Sequence, residues 1–270
     1  MDMFLILFAL IWLVIASISD LKKREVANWL NFSLIVFAMA YRIFYSLLYN
    51  DIWFFVSGLV GLGIFVCLAY MFYYARVFAG GDAKLLMGLG AILPLGFALP
   101  DFLVLAIFIF LLLFISGIYG LFYSAFLALK NKKKFKKEFK NQFFINKNIF
   151  YISLAFALLS VFFIYFDIIF IAFPFLFLLF GLLYVYGKAV EESCMIVSVN
   201  CKNVTIGDWL YEKVRVNGKT IKPYWEGLSE EEVKLLRKYK RKVKIKQGIP
   251  LVPAFLIGFL GWIWVGKMWM

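Results

Sequence analysis

The chain has 270 residues, 64% of them hydrophobic and 21% aromatic, with 33 Phe. An ordinary globular domain is only about half apolar, so a soluble fold of this length has nowhere to hide the surplus, which must face lipid. There is no histidine, which excludes Ser-His-Asp and Cys-His nucleophile systems and most catalytic zinc sites. The net charge of +13 is read as basic loops that set membrane topology rather than as a nucleic-acid footprint.

The first apolar run covers about 3–18. It starts Met-Asp-Met without a basic lead-in and has no small-residue cleavage site before Asp20, so it is expected to be a retained transmembrane helix. It ends in Asp20-Leu-Lys-Lys-Arg-Glu25. A second run, about 29–48, is closed by Asn50-Asp51, and a third covers about 52–74. After Arg76-Val-Phe-Ala-Gly80-Gly81-Asp82-Ala-Lys84 comes a short run, about 85–99, with Pro94 and Pro100 near its end, expected to be a partial span. A fifth run, about 101–129, leads into the stretch 130–147 with eight lysines, expected to be a solvated, topology-setting loop. Runs at about 149–166 and 168–186 are separated by Asp167. The polar segment 188–248 precedes a last apolar run within 249–270. The longer runs match the roughly 17–25 residues that cross a bilayer.

This predicts an all-α polytopic membrane protein of about 6–8 transmembrane helices, with a small α+β cytoplasmic insert before the last helix. The expected division is a membrane core over 1–187, the insert over 188–248 and a C-terminal helix over 249–270. Placing the loop after Asp20 inside puts the 76–84, 130–147 and 188–248 stretches inside as well. Most Lys and Arg then lie on one face, as the positive-inside rule requires. Both termini fall outside. In the insert, Val214 to Ile221 alternates around Asn217-Gly218, which predicts a β-hairpin. Ser229-Glu-Glu-Glu232 has capping-box spacing and opens an amphipathic helix through Val233, Leu235, Leu236 and Tyr239. Cys67 is expected in the core, and Cys194 and Cys201 are expected to be reduced; their spacing does not suggest a metal site. No metal or organic cofactor is expected.

The chemistry rests on scarce acids. At the inner helix ends stand Asp20, Glu25 and Asp82, and an ionisable group at a membrane boundary is a functional candidate by default. One such Asp alone would merely end its helix; two on one face, each in a patterned setting, point to a carboxylate pair. Gly80 and Gly81 let backbone or substrate approach Asp82, and Gly88 and Gly90 leave a thin helix face for tight contact. Lys84 either tunes the pair or contacts substrate, or it snorkels to the interface. Lys22, Lys23 and Arg24 are expected to meet anionic lipid. Glu25 is expected to be a surface acid. Arg42 is expected to snorkel outward or to pair with Asp51.

Asp20, followed by Val26 and Asn28, resembles the Asp-(x)5-Ile/Val-x-Asn pattern of type IV prepilin peptidases. Gly80-Gly81-Asp82-Ala83-Lys84-Leu85-Leu86-Met87-Gly88-Leu89-Gly90-Ala91 resembles that family's Gly-x-Gly-Asp-x-Lys-Leu-Leu-x-x-Leu-Gly-Ala block, with Ala79 where the first Gly is usual. The resemblance covers about residues 1–100. The stretch Gly227 to Glu232, with Gly248-Ile249-Pro250-Leu251-Val252-Pro253-Ala254-Phe255, is similar to the C-terminal extension of archaeal members. The resemblance implies a membrane aspartyl endopeptidase in which Asp20 and Asp82 are catalytic. It implies removal of the short basic class III signal peptide from archaellin or pilin-like precursors at the cytoplasmic membrane face, without N-methylation.

Three rivals remain at this stage. A presenilin-like intramembrane peptidase shares the Gly-Asp element, but the early Asp20 pattern argues against it. A Ser-Lys peptidase needs a lysine on the outer face that this sequence does not offer. A transporter or assembly scaffold could use the two Asp to bind a cation or proton without cleaving anything.

Overall fold

The computed structural model describes residues 2–93, 95, 99–216, 218–238 and 242–269. Pro94, Asn217 and Tyr239 lie outside them. The chain folds into two compact units, one of Met1–Phe122 with Ile249–Met270 and one of Tyr123–Gly248. Among the described residues six helices are long and apolar enough to cross a membrane: Met3–Lys23, Asn28–Tyr49, Ile52–Tyr74, Phe102–Lys130, Lys147–Tyr165 and Ile168–Met195. Their outer faces carry bare large side chains, such as Leu47 and Phe122, each 74% exposed, which only lipid can cover. The protein is a polytopic, mainly helical membrane protein with a small strand-bearing region before its last helix.

The first unit contains α1 (Met3–Lys23), α2 (Asn28–Tyr49), α3 (Ile52–Tyr74), α4 (Gly80–Ile92), the start of α5 (Leu99–Lys130) and α10 (Val252–Trp269). Local signals set the ends. Asp2 and Asp51 accept hydrogen bonds from the N–H groups of Leu5 and Phe54 and so cap α1 and α3. Arg24 and Asn50, in left-handed backbone at φ 57° and 54°, end α1 and α2.

The short run became α4, which begins at Gly80, stops at Ile92 and has 13 residues. That is roughly 20 Å of helix against a hydrocarbon core of about 30 Å, so it ends before it could cross. It is buried on nearly every side, with Leu85, Leu86, Leu89 and Ala91 fully enclosed. The glycines explain the fit. A Cβ on Gly88 would stand 2.6 Å from Leu34 Cδ2 of α2, and one on Gly90 would stand 2.8 Å from the Gly61 carbonyl of α3. Small residues let the backbones close, and packing rather than hydrophobic transfer holds helices together in lipid.

A helix that stops inside a bilayer leaves its last carbonyls without partners. Arg42 answers this and corrects its expected place. Instead of snorkelling outward or pairing with Asp51, it is fully buried. It donates from Nε to the Ala91 carbonyl at 2.9 Å and from Nη2 to the Ile92 carbonyl at 2.9 Å. Nη1 donates to the Phe54 carbonyl at 2.6 Å and to Ser57 Oγ at 3.1 Å. The planar, multi-donor guanidinium can bond several carbonyls at once, which a lysine could not. Cys67 is also corrected: it is exposed, because Phe65, Ala69 and Phe72 take the inward face of α3.

In the second unit the lysine-rich stretch is not a loop but α6 (Lys132–Ile145). Lysine is a good helix former, and Phe135, Phe139 and Phe143 recur at helical spacing; Phe135 packs on Tyr186 with ring centroids 5.7 Å apart. α7 (Lys147–Val161) and α8 (Ala172–Val190) follow. The small domain has a three-stranded antiparallel sheet in the order β1 (Ile196–Asn200), β5 (Lys242–Lys246), β2 (Trp209–Leu210). The predicted hairpin is present as β3 (Val214–Val216) and β4 (Lys219–Ile221), with Val216 opposite Lys219. The capping box is present too: Ser229 and Glu232 exchange bonds at the start of α9 (Glu230–Arg237). Leu210, Val216, Ile221, Leu236 and Ile245 form this domain's core around Cys201.

Candidate active site

α4 carries the site, and the elements around it decide what each polar side chain does. Asp82 is the third residue of α4, and its carboxylate accepts a hydrogen bond from the Ala79 N–H at 3.3 Å. This is one half of a capping box; Ala79 has no side-chain oxygen to return the other half. Desolvation holds the Asp82 carboxyl well above the ordinary carboxylate range, and the charge of Asp20 pushes it the same way.

Asp20 lies one turn before the end of α1 and is 5% exposed. It does not cap its own helix. Its Oδ2 accepts a hydrogen bond from the Val252 N–H at 2.9 Å, at the first residue of α10 and 232 positions away in sequence. α1 and α4 pack against one another, so the two acids that are 62 positions apart in sequence belong to one assembly.

α2 runs alongside α4 and meets it with a single face. Asn28, Asn31, Leu34, Ala38 and Arg42 are spaced at three and four residues, which stacks them on one stripe. Near the start of α4, Lys84 Nζ donates to Asn28 Oδ1 at 2.8 Å and lies 6.0 Å from the Phe32 ring centroid. The ammonium is held by the amide of Asn28, which keeps it beside the site. One turn along α2, the fully buried Asn31 donates from Nδ2 to the Gly81 carbonyl at 3.3 Å. Its Oδ1 is buried and has no partner among the described residues.

All nine sequence-predicted site residues lie in the first unit. Val26 is buried against Gly81, where an added Cβ would stand 3.7 Å from the Val26 nitrogen. Gly80 lies beside Tyr73, while Gly88 and Gly90 seat α4 on α2 and α3. Sequence reasoning missed Asn31, Arg42 in its present role, and Val252. Asn31 had a signal, three residues after Asn28 and so on the same helix face. Val252 had none beyond its setting, since its contribution is a main-chain N–H. Among the described residues no group of three or more His, Cys, Asp or Glu is placed to hold a metal ion.

Asp20 is buried, Asp82 is half-buried, and the charge of Asp20 acts on Asp82; two carboxylates so related can share one proton. Residues 7–128 match the model described as the type IV leader peptidase family. More narrowly, it is similar to preflagellin peptidases of methanogenic archaea. It is 37% identical over 84 residues to that of Methanocaldococcus jannaschii, covering 31% of this chain and 36% of the relative. It is 30% identical over 125 residues to that of Methanococcus maripaludis, covering 43% and 54%. It is 31% identical over 91 residues to that of Methanococcus voltae, covering 34% and 38%. The matched stretches thus span between about a third and about half of those relatives' lengths. No solved structure matches the chain.

Proposed function

We propose that the protein is a membrane aspartyl endopeptidase that removes the short basic leader from archaellin or pilin-like precursors. Cleavage falls at the junction of leader and apolar helix, at the cytoplasmic face of the cell membrane, and leaves the new N-terminus unmethylated. The observation that carries this reading is the carboxylate pair itself: Asp20, buried near the end of α1, and Asp82 at the start of α4, on which the charge of Asp20 acts. The family of residues 7–128 and the names of the similar archaeal proteins support the same chemistry.

Two carboxylates coupled through their charge do not both ionise cheaply, so at working pH the pair holds one proton. The ionised member takes a proton from water as it attacks the scissile carbonyl, and the protonated member polarises that carbonyl. Gly80 and Gly81 add no side chain of their own beside Asp82, which suits close approach by a substrate backbone. The apolar helix of a pilin-like precursor would lie in lipid along the same bundle, so its leader junction would arrive at the depth of the pair.

The test is co-expression in membranes with a tagged archaellin or pilin precursor, following leader removal on a gel. Wild type is expected to cleave, and Asp20→Asn and Asp82→Asn are expected not to, at equal membrane accumulation. Cleavage that survives either substitution refutes the aspartyl mechanism. A well-accumulated wild type that cleaves no precursor favours a non-enzymatic role for the two acids.

A further inference from the structure

We propose that the first turn of the C-terminal helix α10 assigns the roles within the carboxylate pair: through the Val252 N–H it holds Asp20 as the ionised base and leaves the proton on Asp82. The proposal rests on the peptidase reading above and deepens it. Its ground is a contact that the motif residues do not contain. Asp20 Oδ2 accepts from Val252 N at 2.9 Å in a buried setting, and the Leu251 main chain also faces this carboxyl. Val252 opens α10, so Asp20 lies at the positive end of that helix. Asp82 has a poorer partner, the Ala79 N–H at 3.3 Å. A hydrogen bond donated to a carboxylate favours its charged form, and the shorter, buried bond does so more.

The surrounding charges agree. On α1, Arg24 follows Asp20 by one turn, while Lys22 and Lys23 are exposed. From α4 come Asp82 and Lys84, the latter bonded to Asn28. From α2 come only the uncharged Asn28 and Asn31 near the site, and 249–259, which leads into and opens α10, carries no charged side chain. Pro250 and Pro253 flank the donors and have no N–H of their own, which narrows the segment's capping donors to Leu251 and Val252.

The proton balance then has a direction. Water adds its oxygen to the scissile carbonyl carbon and gives a proton to Asp20, while Asp82 gives its proton to the carbonyl oxygen. On collapse of the diol, Asp20 passes its proton to the leaving nitrogen as the C–N bond breaks. Asp82 takes one back from a diol hydroxyl, and the starting state is restored.

The experiment is the pH profile of precursor cleavage for wild type, Val252→Pro and Val252→Ala in the full chain. Proline is tolerated in a first helical turn, so Val252→Pro removes the donor while α10 can still form; Val252→Ala keeps the donor. Loss of the bond makes Asp20 harder to ionise, so the acid limb for Val252→Pro should move up by about 1 pH unit, a roughly tenfold loss below it. Val252→Ala should keep the wild-type profile. An unmoved acid limb in an active Val252→Pro, or an equal shift in Val252→Ala, overturns the proposal.

A second measurement does not need Val252→Pro to fold. In detergent at neutral pH, Asp82→Asn, which imitates the protonated acid, should keep or raise the thermal midpoint, and Asp20→Asn should lower it. The reverse order overturns the assignment. A wild type that cleaves nothing, with the midpoints in the expected order, counts against the peptidase reading and not against the contact.

Discussion

The two units use charge in opposite ways. In the first, charged and polar side chains are buried and bond mainly to main-chain atoms: Arg42 to the carbonyls of Phe54, Ala91 and Ile92, Asn31 to that of Gly81, and Asp20 to the Val252 N–H. In the second, charges pair with one another at the surface, as in Lys234 with Glu230 and Lys244 with Glu212. The difference follows from solvent. Exposed pairs exchange water for each other at little net gain, whereas a buried group that loses its partner keeps the whole cost of desolvation. The buried charges of the first unit are therefore expected to cost far more to strip of their partners than the exposed pairs of the second.

The sharpest test of that contrast lies at the pair. Asp20→Asn and Asp82→Asn are expected to lower precursor cleavage at least about a hundredfold, as loss of a general acid or base does, with normal accumulation in membranes. Quantified gel assays decide it.

Next comes Arg42→Ala, which strands the buried Ala91 and Ile92 carbonyls, while that of Phe54 keeps the Ser57 hydroxyl at 3.0 Å. Its thermal or denaturant midpoint in detergent should report a loss of about 3 kcal/mol or more. Arg42→Lys should recover only part, since one ammonium cannot reproduce the fork of donors. A wild-type midpoint for Arg42→Ala would break the comparison outright.

Smaller effects should follow from the glycine contacts. In Gly90→Ala the new methyl meets Phe65 Cγ at 2.7 Å and the Gly61 carbonyl at 2.8 Å, and backbone cannot swing away. A cost of about 1–3 kcal/mol is expected from overpacking. Gly88→Ala meets the outer carbons of Leu34, a flexible side chain, and should cost less on the same assay. Equal costs would mean that α2 is as unyielding as α3.

The smallest effect is expected where the first unit's rule does not apply. Lys234→Ala and Lys244→Ala, both in exposed pairs, should shift the midpoint by no more than about 0.5 kcal/mol.

Much of the site was legible because its signals are local. Asp82 stands within an unbroken run of motif residues, and Asp20, Val26 and Asn28 fall within nine positions. The β3–β4 hairpin and the Ser229–Glu232 box were legible for the same reason, since turn chemistry and capping act over three or four residues. Arg42 was misread because hydropathy gives a residue's depth along a helix but not its azimuth. The same Arg could reach headgroups or turn inward, and the unsatisfied end of α4 draws it inward. Cys67 was misread for the same reason. The basic stretch 130–147 was misread because its charge hid the phenylalanines at helical spacing that make it α6.

The amino-acid sequence by itself determined that this is a membrane protein, roughly where most of its long apolar helices lie, and that Asp20 and Asp82 are the candidate pair. These follow from transfer free energy and short-range capping, which act along the chain. The short fourth run already pointed to a partial span; the tertiary structure alone decided that Arg42 turns onto the carbonyls where α4 stops. It alone decided that Asn31 bonds the Gly81 carbonyl and that α10 meets Asp20. Those outcomes depend on main-chain donors and acceptors, which every residue carries alike and no side-chain pattern can single out.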